Sequence, residues 1–312
     1  MSSRPPTGPN DEGNGHAEYE MPIEDRSVGF TLPGRNARGR IVRLGPVLDA
    51  ILSNHGYPPP LAALLAEALT LTALLGATLK DQQGQMTLQA QAQDGLVDLL
   101  VCDYLDGALR GYVRHDPARV ADLSGTPDLG ALFGTGYLAI TFDQTVSKER
   151  YQGIVPLEGA SLSAAVQNYF DQSEQIPSLV RFGVVDRGLA GHSAGGLLLQ
   201  HLPEGETGRE RLHVRHNHPD WEHVAALAAT VADDELTDPA LPLTTVLWRL
   251  FHEDETRIIA DRPLTRGCRC SLPHIREVIG RFPEEDRADM RDAEGKIHVD
   301  CAFCAKSFLI EM

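Results

Sequence analysis

The chain has 312 residues, and 42% of them are apolar, enough to bury one large domain with a smaller one beside it. Its 44 Asp and Glu outweigh 28 Lys and Arg, for a formal charge of −16 at pH 7; such a surface repels phosphate backbones and anionic lipid, which disfavours a nucleic-acid or membrane-surface role. No apolar run approaches the ~20 residues that span a bilayer, and the N-terminus lacks the apolar stretch of a secretory signal, so the expected location is the cytoplasm.

Residues 1–27 are rich in Pro, Gly, Asn and acid and are expected to form a disordered tail. From Val28 to Leu44, short alternations in VGFTL and RGRIVRL predict edge strands. Val47, Leu48, Ile51 and Leu52 put one apolar face on a short helix over Pro46–His55, which the run Gly56-Tyr57-Pro58-Pro59-Pro60 must break. The strongest helix runs from Leu61 to Leu79, with Leu61, Leu64, Leu65, Ala68, Leu71, Leu75 and Leu79 at helical spacing, a core stripe rather than a binding face.

Strands follow in series. Met86–Gln93 alternates cleanly, Leu96–Tyr104 is the next strand, and Asp106-Gly107 is a hairpin dipeptide that returns the chain along Ala108–Arg114. Tyr137–Phe142 and Tyr151–Val155 read as another pair, Leu162–Ser173 as an amphipathic helix, and Leu179–Val185 and Leu197–Leu202 as the last strands. Hairpin strands with interspersed helices argue for an α+β fold with a mainly antiparallel sheet over 28–203.

Residues 204–262 change character. Glu204–Gly208 is polar, and helices are predicted over Trp221–Val231 and Leu243–His252; the segment holds 6 basic and 13 acidic residues. Its apolar faces must dock on something, so it is expected to be a packed but metastable helical linker. His213, His216, His218 and His223 form a local cluster, but no closed tetrahedral set is visible among them, so they read as solvated loop histidines.

Residues 263–312 are expected to form a small C-terminal domain, with short helices at Leu272–Ile279 and Glu284–Met290 and a strand at Lys296–Asp300. Phe308, Leu309 and Ile310 are too few to build a core unaided, so a staple is required. Four of the five cysteines supply it: Cys268 and Cys270, then Cys301 and Cys304 after a 30-residue gap. Paired cysteines in a reducing compartment point to a metal, and four thiolates suit a closed zinc site. Cys102 stands alone in an apolar strand and reads as a buried, inert thiol.

The first pair encloses only one residue, so its α-carbons lie at most ~7 Å apart and a strained, labile disulfide can form between Cys268 and Cys270. Arg266, Arg269 and Lys306 stand beside the cysteines in sequence, and positive charge favours the thiolate that attacks peroxide or hypochlorite. Oxidation would then consume the ligands. Structural zinc contributes on the order of 10–16 kcal/mol of apparent binding energy in small metallo-domains, so its loss should unfold the module and with it a weakly stable neighbour.

Several stretches, in order, resemble one family: His55-Gly56-Tyr57-Pro58 with the helix to Leu79-Lys80, Glu149–Gly159 (ERYQGIVPLEG), Ser173-Glu174-Gln175-Ile176-Pro177, Ala194–Gln200 (AGGLLLQ), Val246–Glu253 (VLWRLFHE) and the CxC–CxxC signature. Over nearly the whole chain after the tail, they resemble the bacterial redox-regulated holdase chaperones, the thirty-three-kilodalton chaperonin family. The resemblance implies one Zn2+ per chain on Cys268, Cys270, Cys301 and Cys304 in an inactive, reduced monomer. It also implies activation by oxidation to Cys268–Cys270 and Cys301–Cys304 disulfides, with zinc release and unfolding of the linker. The oxidised homodimer would bind unfolded client proteins without ATP, as a chaperone and not an enzyme, with no catalytic residue. The chain departs from the pattern in its long tail and in stopping at Met312, soon after the last cysteine; neither touches the ligands.

Two other classes compete. A thiol-disulfide oxidoreductase would use Cys301 and Cys304 at a helix N-terminus, but strand-like Ala305–Ile310 follows them. A nucleic-acid-binding zinc ribbon needs a basic footprint, and residues 263–312 carry 8 basic against 9 acidic residues. The chain has no Walker-type glycine loop.

Overall fold

A computed structural model describes residues 25–79, 83–120, 125, 127–145, 148–202 and 217–311. Most of the expected disordered tail, the Glu204–Gly208 stretch, His213 and His216 lie outside these residues.

The chain opens with β1 (Arg26–Leu32), β2 (Ala37–Leu44), α1 (Pro46–Leu52) and α2 (Pro59–Gly76). A meander of β3 (Gln85–Ala92), β4 (Val97–Leu105) and β5 (Ala108–His115) follows, then the short helices α3 (Pro117–Val120) and α4 (Leu129–Phe133). Next come β6 (Gly136–Gln144), β7 (Glu149–Pro156), α5 (Leu162–Tyr169), β8 (Ser178–Asp186) and β9 (His192–His201). Beyond residue 217 lie α6 (Pro219–Ala229), α7 (Asp233–Thr237), α8 (Leu243–Phe251) and β10 (Arg257–Pro263). The chain ends with β11 (Thr265–Arg266), α9 (Leu272–Gly280), α10 (Glu284–Asp289), β12 (Lys296–Asp300) and β13 (Ser307–Glu311).

The architecture is α+β, with two large sheets facing each other across α2. One is five-stranded in the order β10-β1-β2-β9-β8; the other is six-stranded in the order β11-β5-β4-β3-β6-β7. Every pairing is antiparallel except β11 on β5. Pro59 and Pro60 start α2 rather than merely break what precedes it, because a proline in the first helical turn sacrifices no hydrogen bond. The helix is apolar nearly all round and is the centre of the main core, packing on both sheets. By length and composition it could cross a membrane, but it is mostly buried inside the protein.

The five-stranded sheet is covered on its other face too. Val28, Phe30, Ile41, Leu197 and Leu199 meet Trp221, Val224, Val246, Leu247 and Phe251 of α6 and α8 in a second core. Polar anchors fix this layer. Arg43 of β2 donates through Nε to the Leu236 carbonyl at 2.8 Å, through Nη1 to that of Leu241 at 2.7 Å and through Nη2 to that of Glu235 at 3.0 Å. Arg35 bridges Asp220 (2.9 Å) and Asp254 (2.8 Å).

The structure corrects several sequence readings. Strands β1 and β2 are internal, not edges, because β10 returns from more than two hundred residues away to pair with β1. Strand β9 begins at His192, before the expected Leu197, and its Gly195 and Gly196 admit α7 on one face and Thr70 of α2 on the other. The helical segment after residue 217 also holds α7 and ends in a strand. Two of its histidines are structural: His218 is the N-cap of α6, and His223 Nε2 lies 3.1 Å from Asp254 Oδ2.

Candidate metal centre

The first cysteine pair leaves the edge of the six-stranded sheet. Thr265 N donates to Gly107 O at 2.9 Å and Gly267 N to Leu109 O at 2.8 Å, so the backbone runs along β5 up to the residue before Cys268. A Cβ on Gly267 would stand 2.5 Å from that of Ala108, and glycine is what lets the strand lie this close. After Cys270, Ser271 caps α9 by accepting from His274 N at 3.3 Å, with proline in the first turn.

The second pair sits on the tip of the β12–β13 hairpin. Asp300 opposes Ser307, which leaves Cys301–Lys306 as the turn. Cys301 N donates to Lys306 O at 3.0 Å and Ala305 N to Cys301 O at 2.8 Å, with Ala305 in the left-handed region at φ 52°. Around this tip the apolar support is meagre: Ile279, Ile297 and Ile310, with Ile275 and Val299 packed alongside.

The two loops bring four free thiols together. Cys268 Sγ lies 3.3 Å from Cys270 Sγ and 3.6 Å from Cys301 Sγ, Cys270 Sγ lies 3.4 Å from Cys304 Sγ, and all four sulfurs fall within 4.8 Å of one another. A tetrahedral ion with Zn–S bonds of ~2.3 Å needs sulfurs ~3.8 Å apart, so the residues fit such a group. Four soft sulfur donors in a tetrahedron match zinc or an iron–sulfur unit, and not a hard, oxygen-seeking cation.

Among the thiols themselves, the cluster favours the anion on Cys268 over those on Cys270 and Cys301. Burial works against that anion, but the Cys270 amide and the close contacts with the neighbouring thiols bring its pKa down to about 7. Cys270 and Cys301 are pushed up, by burial first and then by the bonds they share with neighbouring thiols. Sequence reading credited nearby cations and zinc with favouring the thiolate; among the thiols themselves, hydrogen bonds lower the Cys268 pKa. Arg269 turns away to Asp103 on the six-stranded sheet, and Lys306 Nζ sits 5.2 Å from the Phe308 ring centroid.

Cys102 lies fully buried in β4, where burial and then Asp103 raise its pKa well above the ordinary thiol value. Cys301 and Cys304 occupy a hairpin tip, not a helix N-terminus, so they lack the dipole that activates dithiol oxidoreductases. Sequence reading missed Phe303 and Asp103, which the structure places in the contact between this module and the sheet.

The residues from 25 to 311 match the family model described as Hsp33 protein. The chain is 40% identical over 296 residues to the 33 kDa chaperonin of Caulobacter vibrioides, covering 93% of this chain and 95% of that one. To the 33 kDa chaperonin of Shigella boydii it is 35% identical over 292 residues, covering 93% of each. The crystal structure of the 33 kDa chaperonin from Thermotoga maritima superposes with a TM-score of 0.75 over 92% of this chain and 95% of that one, at 22% identity, which shows the shared fold.

Proposed function

Because the chain belongs to the Hsp33 family of chaperones, we propose that it is a redox-regulated, ATP-independent holdase of the cytoplasm, inactive while Cys268, Cys270, Cys301 and Cys304 are reduced. The observation that carries this reading is the set of four free thiols within 4.8 Å, in a module whose own apolar core is small. A zinc ion held there would keep all four sulfurs as thiolates and tie the two cysteine loops together.

Peroxide supplies the oxidant. One thiolate of a pair attacks a peroxide oxygen, the O–O bond breaks and hydroxide leaves, giving a sulfenic acid. The second thiolate of that pair attacks the sulfenic sulfur, the S–O bond breaks, hydroxide leaves and a disulfide forms. Each pair gives up two electrons, and the two hydroxides take up protons to become water. Closure within Cys268–Cys270 and Cys301–Cys304 leaves no thiolate to hold an ion. So small a core then cannot keep the module folded. Residues 204–262, attached directly upstream, loosen with it and expose the apolar residues of the second core, among them Phe30, Leu197, Trp221 and Phe251. Unfolded clients bind that surface by apolar burial, without nucleotide and without catalysis, and the oxidised protein is a homodimer while the reduced protein is a monomer. Nucleic acid and membrane are not partners in this reading.

The test measures zinc content and suppression of client aggregation before and after peroxide. The expected result is one zinc per reduced chain, its loss on oxidation, and protection only afterwards. Equal protection by the reduced, zinc-loaded protein sinks the proposal.

A further inference from the structure

One residue inside each cysteine pair, Arg269 and Phe303, ends on one patch of the six-stranded sheet. Arg269, inside the first pair, donates from Nη1 to Gln85 Oε1 at 2.8 Å and from Nη2 to Asp103 Oδ2 at 3.2 Å. Phe303, inside the second, lies edge-on to Tyr112, with centroids 4.9 Å apart, and 3.9 Å from the Arg110 guanidinium. Asp103 of β4 and Arg110 of β5 are directly paired in register, so both contacts share one receptor.

That receptor is a buried charge set. Asp103 is 4% exposed and accepts from Thr87 Oγ1 at 2.7 Å, Gln85 Nε2 at 3.3 Å and Arg110 Nε at 2.8 Å, besides Arg269. Two guanidiniums therefore converge on one carboxylate oxygen, which stands between two like charges.

The two contacts are joined through the sulfurs. Cys268–Cys301 and Cys270–Cys304 are the close approaches between pairs, at 3.6 and 3.4 Å. Closing each pair on itself keeps the sequence-local links and abolishes these two. We propose that Arg269 and Phe303 form a two-point grip on the Asp103–Arg110–Tyr112 patch, a docking contact held only while the four sulfurs act as one group. This rests on the redox-switch reading above. Once the pairs separate, each point binds alone, without the entropic advantage of a joined pair, and the module lifts off.

The experiment uses the full-length, reduced, zinc-loaded protein and follows hydrogen exchange at the Thr265 and Gly267 amides, which bond to Gly107 and Leu109 of the sheet. Asp103→Asn leaves two cations facing each other and is expected to speed that exchange at least tenfold, the scale of one lost charge-assisted hydrogen bond. Arg269→Ala removes one cation along with its bond and should act severalfold. The double variant should resemble Arg269→Ala alone, because the repulsion is gone. Exchange within twofold of wild type in Asp103→Asn, or single effects that simply multiply in the double variant, overturns the grip. If Arg269→Ala fails to retain zinc, Asp103→Asn decides alone, since it lies on the other module. Client protection by wild type is followed in parallel, with and without peroxide. A wild type that responds to peroxide while the variants exchange normally refutes the grip and spares the chaperone reading; a wild type that never responds refutes the chaperone reading, whatever the exchange shows.

Discussion

Replacing Arg43 by Met tests what seats residues 217–262 on the five-stranded sheet. The guanidinium is buried and serves three carbonyls of the α7 region at 2.7–3.0 Å. Burial pulls its pKa down to about 10, so it is still a cation at neutral pH. Met fills much of the same volume but offers no donor. A buried carbonyl deprived of its donor costs about 1–3 kcal/mol. The lower figure applies here, because removing a buried charge also recovers some desolvation. Three carbonyls then give about 3 kcal/mol, a factor on the order of 100 in the opening constant of this layer. Native-state hydrogen exchange of the Leu236 and Val246 amides, bonded to Ala232 O and Pro242 O, reads that opening directly. Arg43→Lys keeps the charge but not the fork and should fall between the two. Exchange within threefold of wild type in Arg43→Met would show that apolar packing alone holds the helices and that the anchor is incidental.

Acid should loosen the same layer. Burial opposes ionisation of Asp254, but Arg35 and His223 overrule it and hold its pKa below the usual carboxylate range. A lowered folded pKa means stability present above about pH 4 and lost as pH falls through the folded value; the opening constant of α6, taken as exchange divided by the intrinsic amide rate at each pH, should therefore rise on acidification, and Asp254→Asn should flatten that limb. Ile310→Ala truncates a fully buried side chain at the centre of the cysteine module's small core and should cost about 2–5 kcal/mol. With zinc held there as proposed, metal binding and folding are linked, so competition with a chromophoric chelator should show weaker zinc retention, and unchanged retention would refute the linkage. Four thiols should react in the chelated native protein and a fifth, Cys102, only after denaturation, with Cys102→Ala leaving the peroxide response intact; five fast thiols would contradict its burial.

Local periodicity carried the elements whose environment is local. The Met86–Gln93 alternation gave both a strand and its faces: Met86, Leu88 and Ala90 are buried against α2 while the glutamines point outward. Edges were misread because the pairing of Arg26 with Pro263 leaves no mark in the period of either segment. The start of β9 was hidden by Gly195 and Gly196, whose smallness records neighbours rather than strand propensity. The cysteine site was legible because metal ligands must recur at short spacing. The use of Arg269 was not: its adjacency to cysteine in sequence suggested a thiolate partner, yet its carboxylate stands 166 residues away.

Between Pro263 and Thr265 the chain steps from the outermost strand of one sheet to the outermost strand of the other, with Leu264 sunk in the core at the crossing. A single ribbon, Arg257–Arg266, thus stoppers β1 and β5 together. Bare strand edges are templates that recruit any extended backbone, including that of an identical molecule. A fragment cut before Arg257 would bare β1 and β5 in addition to the β8 and β7 edges that the two sheets already have. Ten residues beside a cysteine cluster thus decide which backbone each sheet shows on that side: a short ribbon carrying Arg257, Asp261, Arg262 and Arg266, or the longer β1 and β5 beneath it.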